Sequence, residues 1–581
     1  MAGGLLNLVA YGNQNIILNS NPKKTFFKST YAKYTNFGLQ KFRIDFDGQR
    51  NLRMSEDSKF TFYIPRYAEL LMDTYLVITL PNIWSPVLPP TTCNESWTPY
   101  EFKWIENLGT QMIKDITISV GGQTLQKLTG GYLLALTQRN FNGTQRDLYN
   151  RMTGNVPELN NPAFFSTNNG NYPNAFYNYT NEPAGIEPSI RFRKLYIPIN
   201  AWFTLSSKMA FPLVALQYNT LQIDITLRPV RDLFVIRDVS NVNTGEHTLP
   251  SHFPEYTTPH YIQPNFNDNL QQFHRFIQQP PNVELNYGNS TRSDWNADVH
   301  LMSTYCFLSG DEAKQFASMP QQYLIKSVYE WNYENVTGSR RVWLQSSLGM
   351  ISSWMFYFQR SDAYLRNEWS NYSNWPYNYK PVGLLPAPID LETDPCPWTP
   401  PQNCPLPPPP LPTSPACYGP GWNPAMNEPT GLFMTQAFSV ENQKDILLNL
   451  GILLDGKYRE NVLDAGIYNY LEKYTSSRGS APDGLYCYNF CLNTEPTEFQ
   501  PSGAINASKF STIELEFTTF YPPLDPSANF LTICDPETNF PIGVNKPTWR
   551  IYNYNYNLTI FEERFNMLTF VGGTCGLMYA R

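Results

Sequence analysis

The chain has 581 residues, 42% hydrophobic, 15% aromatic and only 16% charged, with a formal net charge of −7. That much apolar surface offsets the entropy of ordering and excludes a disordered chain, while the scarcity of charge excludes helical bundles and coiled coils. An acidic chain also has no surplus of Lys and Arg for neutralising phosphates, so direct sequence-specific nucleic-acid binding is not expected.

The first 50 residues depart from this balance. Lys23, Lys24, Lys28, Lys33, Lys41, Arg43 and Arg50 stand against Asp45 and Asp47, seven minus two, or +5. Residues 1–24 read as an N-terminal arm. Their apolar start, MAGGLLNLVAYG, lacks the basic flank and length of a signal peptide, and no later run is long enough to cross a membrane. Strands follow. KFRIDFDG (41–48) alternates Phe42, Ile44 and Phe46 with polar residues, and KDITISV leads through Gly121-Gly122 into QTLQKL, the signature of a hairpin. GGYLLALTQRNF (130–141) reads as a helix. LQIDITLR (221–228) sets Leu221, Ile223, Ile225 and Leu227 on one face. GDEAKQFASM (310–319) starts acidic and stops at Pro320, as a short helix does. TIELEF (512–517) and the tyrosine-asparagine ladder IYNYNYNLTIF (551–561) return to period-2 alternation. Side chains flip faces at each strand residue, so such segments bury one face and build sandwiches or barrels.

Three stretches read as long loops: 80–101, 156–185 and 381–429. The last holds 17 of the 49 prolines, including PLPPPPLP, which cannot enter a sheet interior. The pattern divides into strands over 25–236, a connecting segment at 237–297 and strands over 298–581, each half suiting one eight-stranded sandwich.

Motifs of catalysis are absent. No nucleophile elbow, HExxH or phosphate-loop pattern occurs, so neither an enzyme nor a cofactor is expected. His247, His252 and His260 share a segment with Glu246 and Glu255, but their spacing matches no ligand motif and no metal is expected there. Glu514/Glu516 and Asp45/Asp47 sit two apart on strands and read as solvent faces. The nine cysteines are scattered without a CxxC pair and read as reduced, mostly buried thiols of a cytosolic chain. Among the Asn-x-Ser/Thr sequons, Asn94, Asn178 and Asn289 fall in predicted loops and Asn335 near a hairpin tip, making these four the candidate glycan acceptors.

Several segments carry a family resemblance, in order along nearly the whole chain. GGLLNLVAYGNQNIILNSNPKKTFFKSTYAKYTNF (3–37), IPRYAELLMDTYLVITLP (64–81), WIENLGTQMIKDITISVGGQTLQK (104–127) and LYIPINAWFTLSSKMAFPLVALQYNTLQIDI (195–225) resemble the major capsid proteins of nucleocytoplasmic large DNA viruses. So do FLSGDEAKQFASMPQQYLI (307–325), GLYCYNFCLNTEPTEFQPSGAINASKF (484–510) and YNYNYNLTIFEERFNMLTFVGGTCGLMY (552–579). Two departures stand out: SSLGMISSWMFYF replaces a motif that starts His-Pro in the family, and the 381–429 excursion is longer than the family's.

The resemblance implies an all-β double jelly roll, two eight-stranded antiparallel rolls side by side in one chain with a few short helices. Three chains would then form a pseudo-hexagonal capsomer tiling an icosahedral shell. The implied partners are two further copies, neighbouring capsomers and minor capsid or penton proteins. The arm, through Lys23, Lys24, Lys28 and Lys33, would face inward toward these or the inner viral membrane, and the three long loops would face outward. The protein would reside in the virion shell after assembly in host cytoplasm. A carbohydrate- or receptor-binding surface protein on a jelly-roll scaffold is the alternative, in which exposed Trp and Tyr would stack on sugars.

Overall fold

The computed structural model describes residues 3–48, 51–85, 87–88, 98–99, 101–166, 168, 172–173, 187–237, 261–268, 271–278, 295–345, 347–376, 384–386, 422–423, 428–429, 433–435, 443–498, 500–525, 531–545 and 551–579. The predicted loops 80–101, 156–185 and 381–429 lie partly or largely outside these residues, as do His247, His252 and His260.

Sixteen strands build the body. The first eight are β1 (Phe37–Ile44), β2 (Ser58–Tyr63), β3 (Leu70–Leu80), β4 (Ile113–Val120), β5 (Gln123–Thr129), β6 (Arg193–Pro198), β7 (Leu221–Leu227) and β8 (His300–Leu308). The second eight are β9 (Gln321–Tyr333), β10 (Ser339–Trp343), β11 (Met350–Arg360), β12 (Leu447–Leu454), β13 (Lys457–Asp464), β14 (Leu485–Asn489), β15 (Ile513–Thr519) and β16 (Tyr556–Val571). Pairing is antiparallel throughout. The first eight form sheets ordered β1-β8-β3-β6 and β2-β7-β4-β5; the second eight form β9-β16-β11-β14 and β10-β15-β12-β13. Adding eight to each strand number of the first pair of sheets gives the second pair, so one topology occurs twice. Short strands at Phe211–Pro212, Ile505–Asn506 and Thr574–Leu577 extend two of these sheets, and interleaving early and late strands in facing sheets is the double Greek key of a jelly roll.

Local sequence explains these elements. β15 alternates buried and half-buried along its whole length, and β7 does so over Leu221–Ile225. The β4–β5 turn is Gly121-Gly122, at φ 58° and 84°, and its counterpart between β12 and β13 is Asp455-Gly456, at φ 49° and 74°. Positive φ at both positions is what a two-residue hairpin needs to match strand twist. Helices fill the excursions after β5 and β13. In the first sandwich these are Gly130–Asn140, capped by the Thr129 hydroxyl, and Gly143–Thr153, capped by Asn142. In the second, a π-helical turn, Ile467–Leu471, runs into Glu472–Ser476.

Two expectations need revision. β8 lies between β1 and β3, with Arg43 opposite Met302 and Ser303 opposite Thr74. The second unit therefore begins after Leu308 rather than at 298, and the predicted helix, here Gly310–Ser318, is the bridge into it. The closing ladder is irregular up to Asn555, and its strand, β16, begins at Tyr556 and continues ten residues past the predicted end at 561. Described parts of the connecting segment are packed rather than loose: Phe273, Phe276 and Trp295 close an aromatic cluster with Phe102, Trp104 and Phe234 at one end of the first core.

Candidate assembly site: the seam between the sandwiches

The two sandwiches lie abreast, and the seam between them is as dry as either core. The first apolar core continues through it to include Ile325, Met355, Leu485, Cys487 and Phe561, which project from the outer side of sheet β9-β16-β11-β14. The opposite side of that sheet faces the second core, with Trp354, Phe356, Phe358 and Ile560. The first sandwich contributes β5 and the helix Gly130–Asn140. Gly130 begins that helix where a side chain could not fit, since a Cβ would stand 2.2 Å from the Ile113 carbonyl oxygen. At Gly131 the helix passes close to Phe561 and Tyr357 of the second sandwich.

At the centre is a buried ion pair. Arg139 is fully buried near the end of the helix, and Glu563 is 1% exposed on β16. One guanidinium nitrogen donates to both carboxylate oxygens, at 2.9 and 3.0 Å, and another donates to Ser353 Oγ at 3.1 Å. Tyr132 Oη and Ser353 Oγ also donate to the carboxylate, at 2.9 and 2.6 Å. Burial alone would raise the Glu563 carboxyl, but Arg139, Lys326 and these hydrogen bonds outweigh it and hold it at about 2. The same burial and the neighbouring carboxylate push the Tyr132 hydroxyl well above its ordinary value, so it stays a donor. A charge pair this dry stabilises only when its polar atoms find partners, and here each guanidinium nitrogen and each carboxylate oxygen has one, with Arg139 Nε donating to Asn140 Oδ1. Around it, Gln126 donates to the Lys326 carbonyl, Thr129 to Glu330, Thr494 to Asn140, and the Gly479 amide to the Arg139 carbonyl at 2.9 Å. Glu562 points the other way, into the second sandwich, where Trp354 Nε1, Ser347 Oγ and Arg564 donate to it.

A groove of about 650 Å³ lies between β5 and β9, and one of about 610 Å³ on the second sandwich shares Ser327, Tyr329 and Tyr579 with it as walls. A cavity of about 70 Å³ beside the aromatic cluster is lined by Lys103, which lies 3.6 Å over the Tyr261 ring and which burial lowers to about 8. Among the described residues no three His, Cys, Asp or Glu cluster as metal ligands. Glu514 and Glu516 are both held by Arg341, an ion-paired surface face.

Lys23, Lys24, Lys28 and Lys33 are exposed on an arm that buries none of its described residues before Phe37. That arm also exposes Ile17, Leu18, Phe26, Phe27, Tyr31 and Tyr34. Of the glycan candidates, Asn335 is exposed at the β9–β10 turn with φ 57°; Asn94, Asn178 and Asn289 lie outside the described residues. Cys306, Cys487, Cys491 and Cys575 are buried free thiols and Cys534 is exposed. The sequence reading missed the seam itself: it singled out neither Arg139, within the predicted helix at 130–141, nor Glu562, Glu563 and Arg564, which follow the predicted ladder at 551–561.

Twin jelly rolls joined side by side define a class of shell-building proteins, and comparison with known proteins places the chain within it. Residues 25–252 match the family description "Major capsid protein N-terminus" and residues 312–576 match "Large eukaryotic DNA virus major capsid protein". The chain belongs to this family of large eukaryotic DNA virus major capsid proteins. It is 28% identical over 360 residues to a major capsid protein of Chrysochromulina ericina virus, covering 58% of this chain and 54% of that protein. It is 23% identical, over the full length of both, to the major capsid protein of Paramecium bursaria Chlorella virus 1. Against several of its relatives, the Chrysochromulina virus protein among them, the chain spans only about half of their length. Solved structures of the same fold include the Faustovirus major capsid protein, with a TM-score of 0.57, 10% identity and coverage of 94% of this chain and 93% of that one. A quasi-atomic model of the PBCV-1 virus capsid aligns with a TM-score of 0.56 and 18% identity, covering 96% of this chain and all of that one.

Proposed function

We propose that the protein is the principal building block of an icosahedral virus shell, acting through assembly rather than catalysis. Three chains associate into a capsomer with six jelly rolls around its axis, so a three-fold particle fills a hexagonal position in the facet. The observation that carries this reading is the repeated strand order across a dry seam, which makes each chain two similar wedges held rigidly abreast. The exposed basic and aromatic arm suits the inner surface of the shell, against minor capsid proteins or anionic membrane, and the protein resides in the virion after assembly in the host cytoplasm. Asn335 is the glycan acceptor in this reading, which its exposure at the β9–β10 turn supports. The test is the mass of the native protein by light scattering: three times 66.8 kDa, about 200 kDa, is expected, and a strict monomer under mild conditions refutes the reading.

A further inference from the structure

Beside the buried ion pair the seam holds a cavity of about 50 Å³ whose walls come from both sandwiches. Asn200 and Trp202, in the turn after β6, and Gln126 on β5 line it from the first; Lys326 on β9 and Phe565 on β16 line it from the second. Glu563 forms part of its wall, so the cavity adjoins the pair with Arg139. We propose that this cavity binds one small monovalent anion of chloride size, which bridges the two sandwiches.

The unmet polar groups of this wall are donors. Asn200 and Trp202 are only 8% and 5% exposed, and among the described residues neither Asn200 Nδ2 nor Trp202 Nε1 has a hydrogen-bond partner. A buried donor left without an acceptor forfeits its hydration for nothing, which is why such groups are rare and point to a missing partner. Lys326 is half-buried, and its ammonium makes no hydrogen bond or ion pair with any described residue; it stands 5.9 Å from the Phe565 ring centroid. Its charge reaches Glu563, whose carboxyl it helps to lower. The acceptors nearby are already engaged. Gln126 Oε1 takes the Trp202 backbone N–H at 3.5 Å, and both Glu563 oxygens are held by Arg139, Tyr132 and Ser353. Glu498, the other carboxylate on the lining, is exposed and accepts from Asn493 at 2.6 Å.

Charge and size fix the class of ligand. Arg139 and Glu563 cancel, so Lys326 leaves this part of the seam with one positive charge, while the exposed Glu498 is screened by water. One negative charge balances it; a divalent oxoanion would bring an excess up against Glu563. The volume admits a single small ion and little else. Water alone fits the chemistry poorly. It can accept from these donors, but its own two hydrogens would find the neighbouring acceptors taken, whereas an anion asks for donors only. Because Asn200 and Trp202 belong to one sandwich and Lys326 to the other, a bound anion ties the two together. Occupancy is thereby coupled to opening of the seam, since the ion binds the closed form and not the open one.

The test compares chloride with gluconate, an anion too large for the cavity, on the full chain at equal ionic strength. Hydrogen exchange at Gly130–Asn140 and along β9 should slow as chloride replaces gluconate, by about tenfold at ten times the half-binding concentration. K326M removes the cation and W202F the indole donor, and each should abolish the chloride effect. K59M, at an exposed lysine on β2 far from the cavity wall, should keep it. Crystals soaked in bromide should show an anomalous peak within hydrogen-bonding distance of Trp202 Nε1 and Asn200 Nδ2, which decides the matter even if W202F misfolds. Equal exchange in the two salts, or a cavity holding water alone, overturns the proposal. A bromide peak without a chloride effect in solution marks an adventitious ion only and overturns it equally, and a chloride effect that survives K326M places the ion elsewhere. The site lies within one chain, so none of these outcomes bears on the assembly reading.

Discussion

Replacing Arg139 by Met tests whether the buried pair is what locks the two wedges together. The substitution leaves Glu563, 1% exposed, without its cation and keeps only Tyr132 and Ser353 as donors. Breaking one side of such a pair costs about 3–5 kcal/mol. A second route gives a similar size. Holding this carboxyl at about 2 instead of its ordinary 4.5 corresponds to about 3 kcal/mol between the charged and neutral forms. An effect of that size changes an opening equilibrium roughly 100-fold. Since the pair bridges the seam, the loss should appear as faster hydrogen exchange and protease cleavage at Gly130–Asn140 and β16, with β15 at the second core spared. Glu563→Gln alone leaves Arg139 buried and uncompensated and should cost a similar amount. The double variant R139M/E563Q removes both charges and should recover most of the loss, giving a coupling of at least about 2 kcal/mol. Additive effects, or a cost below about 1 kcal/mol for R139M, would show that apolar packing alone holds the sandwiches abreast.

Acid should weaken the seam in a defined window. The Glu563 carboxyl is lowered on folding, so its contribution is complete above about pH 4.5 and is lost as pH falls toward about 2; E563Q should flatten the denaturation profile in that interval. Gly479→Ala should open the seam by about 1–3 kcal/mol, read by thermal unfolding, since its Cβ would lie 2.5 Å from the Arg139 carbonyl oxygen. Converting Lys23, Lys24, Lys28 and Lys33 to Glu should leave melting unchanged, because all four are exposed, while abolishing co-sedimentation with anionic vesicles or copurification with minor capsid proteins.

How far the sequence carries the fold depends on which side of each strand faces which neighbour. β7 and β15 face a core on one side and water or polar partners on the other, and their alternation is plain to read. The Gly121-Gly122 turn and the helix at 310 were legible for equally local reasons, two glycines that tolerate positive φ between strands and an acidic start before a proline; the helix at 130 was read from its sequence without the Thr129 cap that the structure adds. β16 is different. Its odd residues Phe561 and Glu563 enter the seam while Ile560 and Glu562 enter the second sandwich, so both sides are buried and no polar face marks the strand. Glu562, Glu563 and Arg564 look like a surface run until their partners arrive from Trp354, Ser347 and Arg139, residues distant in sequence. The same holds for β8, whose sequence fits either unit and whose place is decided by β1 and β3. A chain that must bind itself along a flank has strands buried on both sides there, and those are the strands whose period fails. The irregular stretches of an otherwise alternating sequence therefore point to its joints, and in this chain two of them, at 351–356 on β11 and 560–564 on β16, fall on the sheet that forms one wall of the seam.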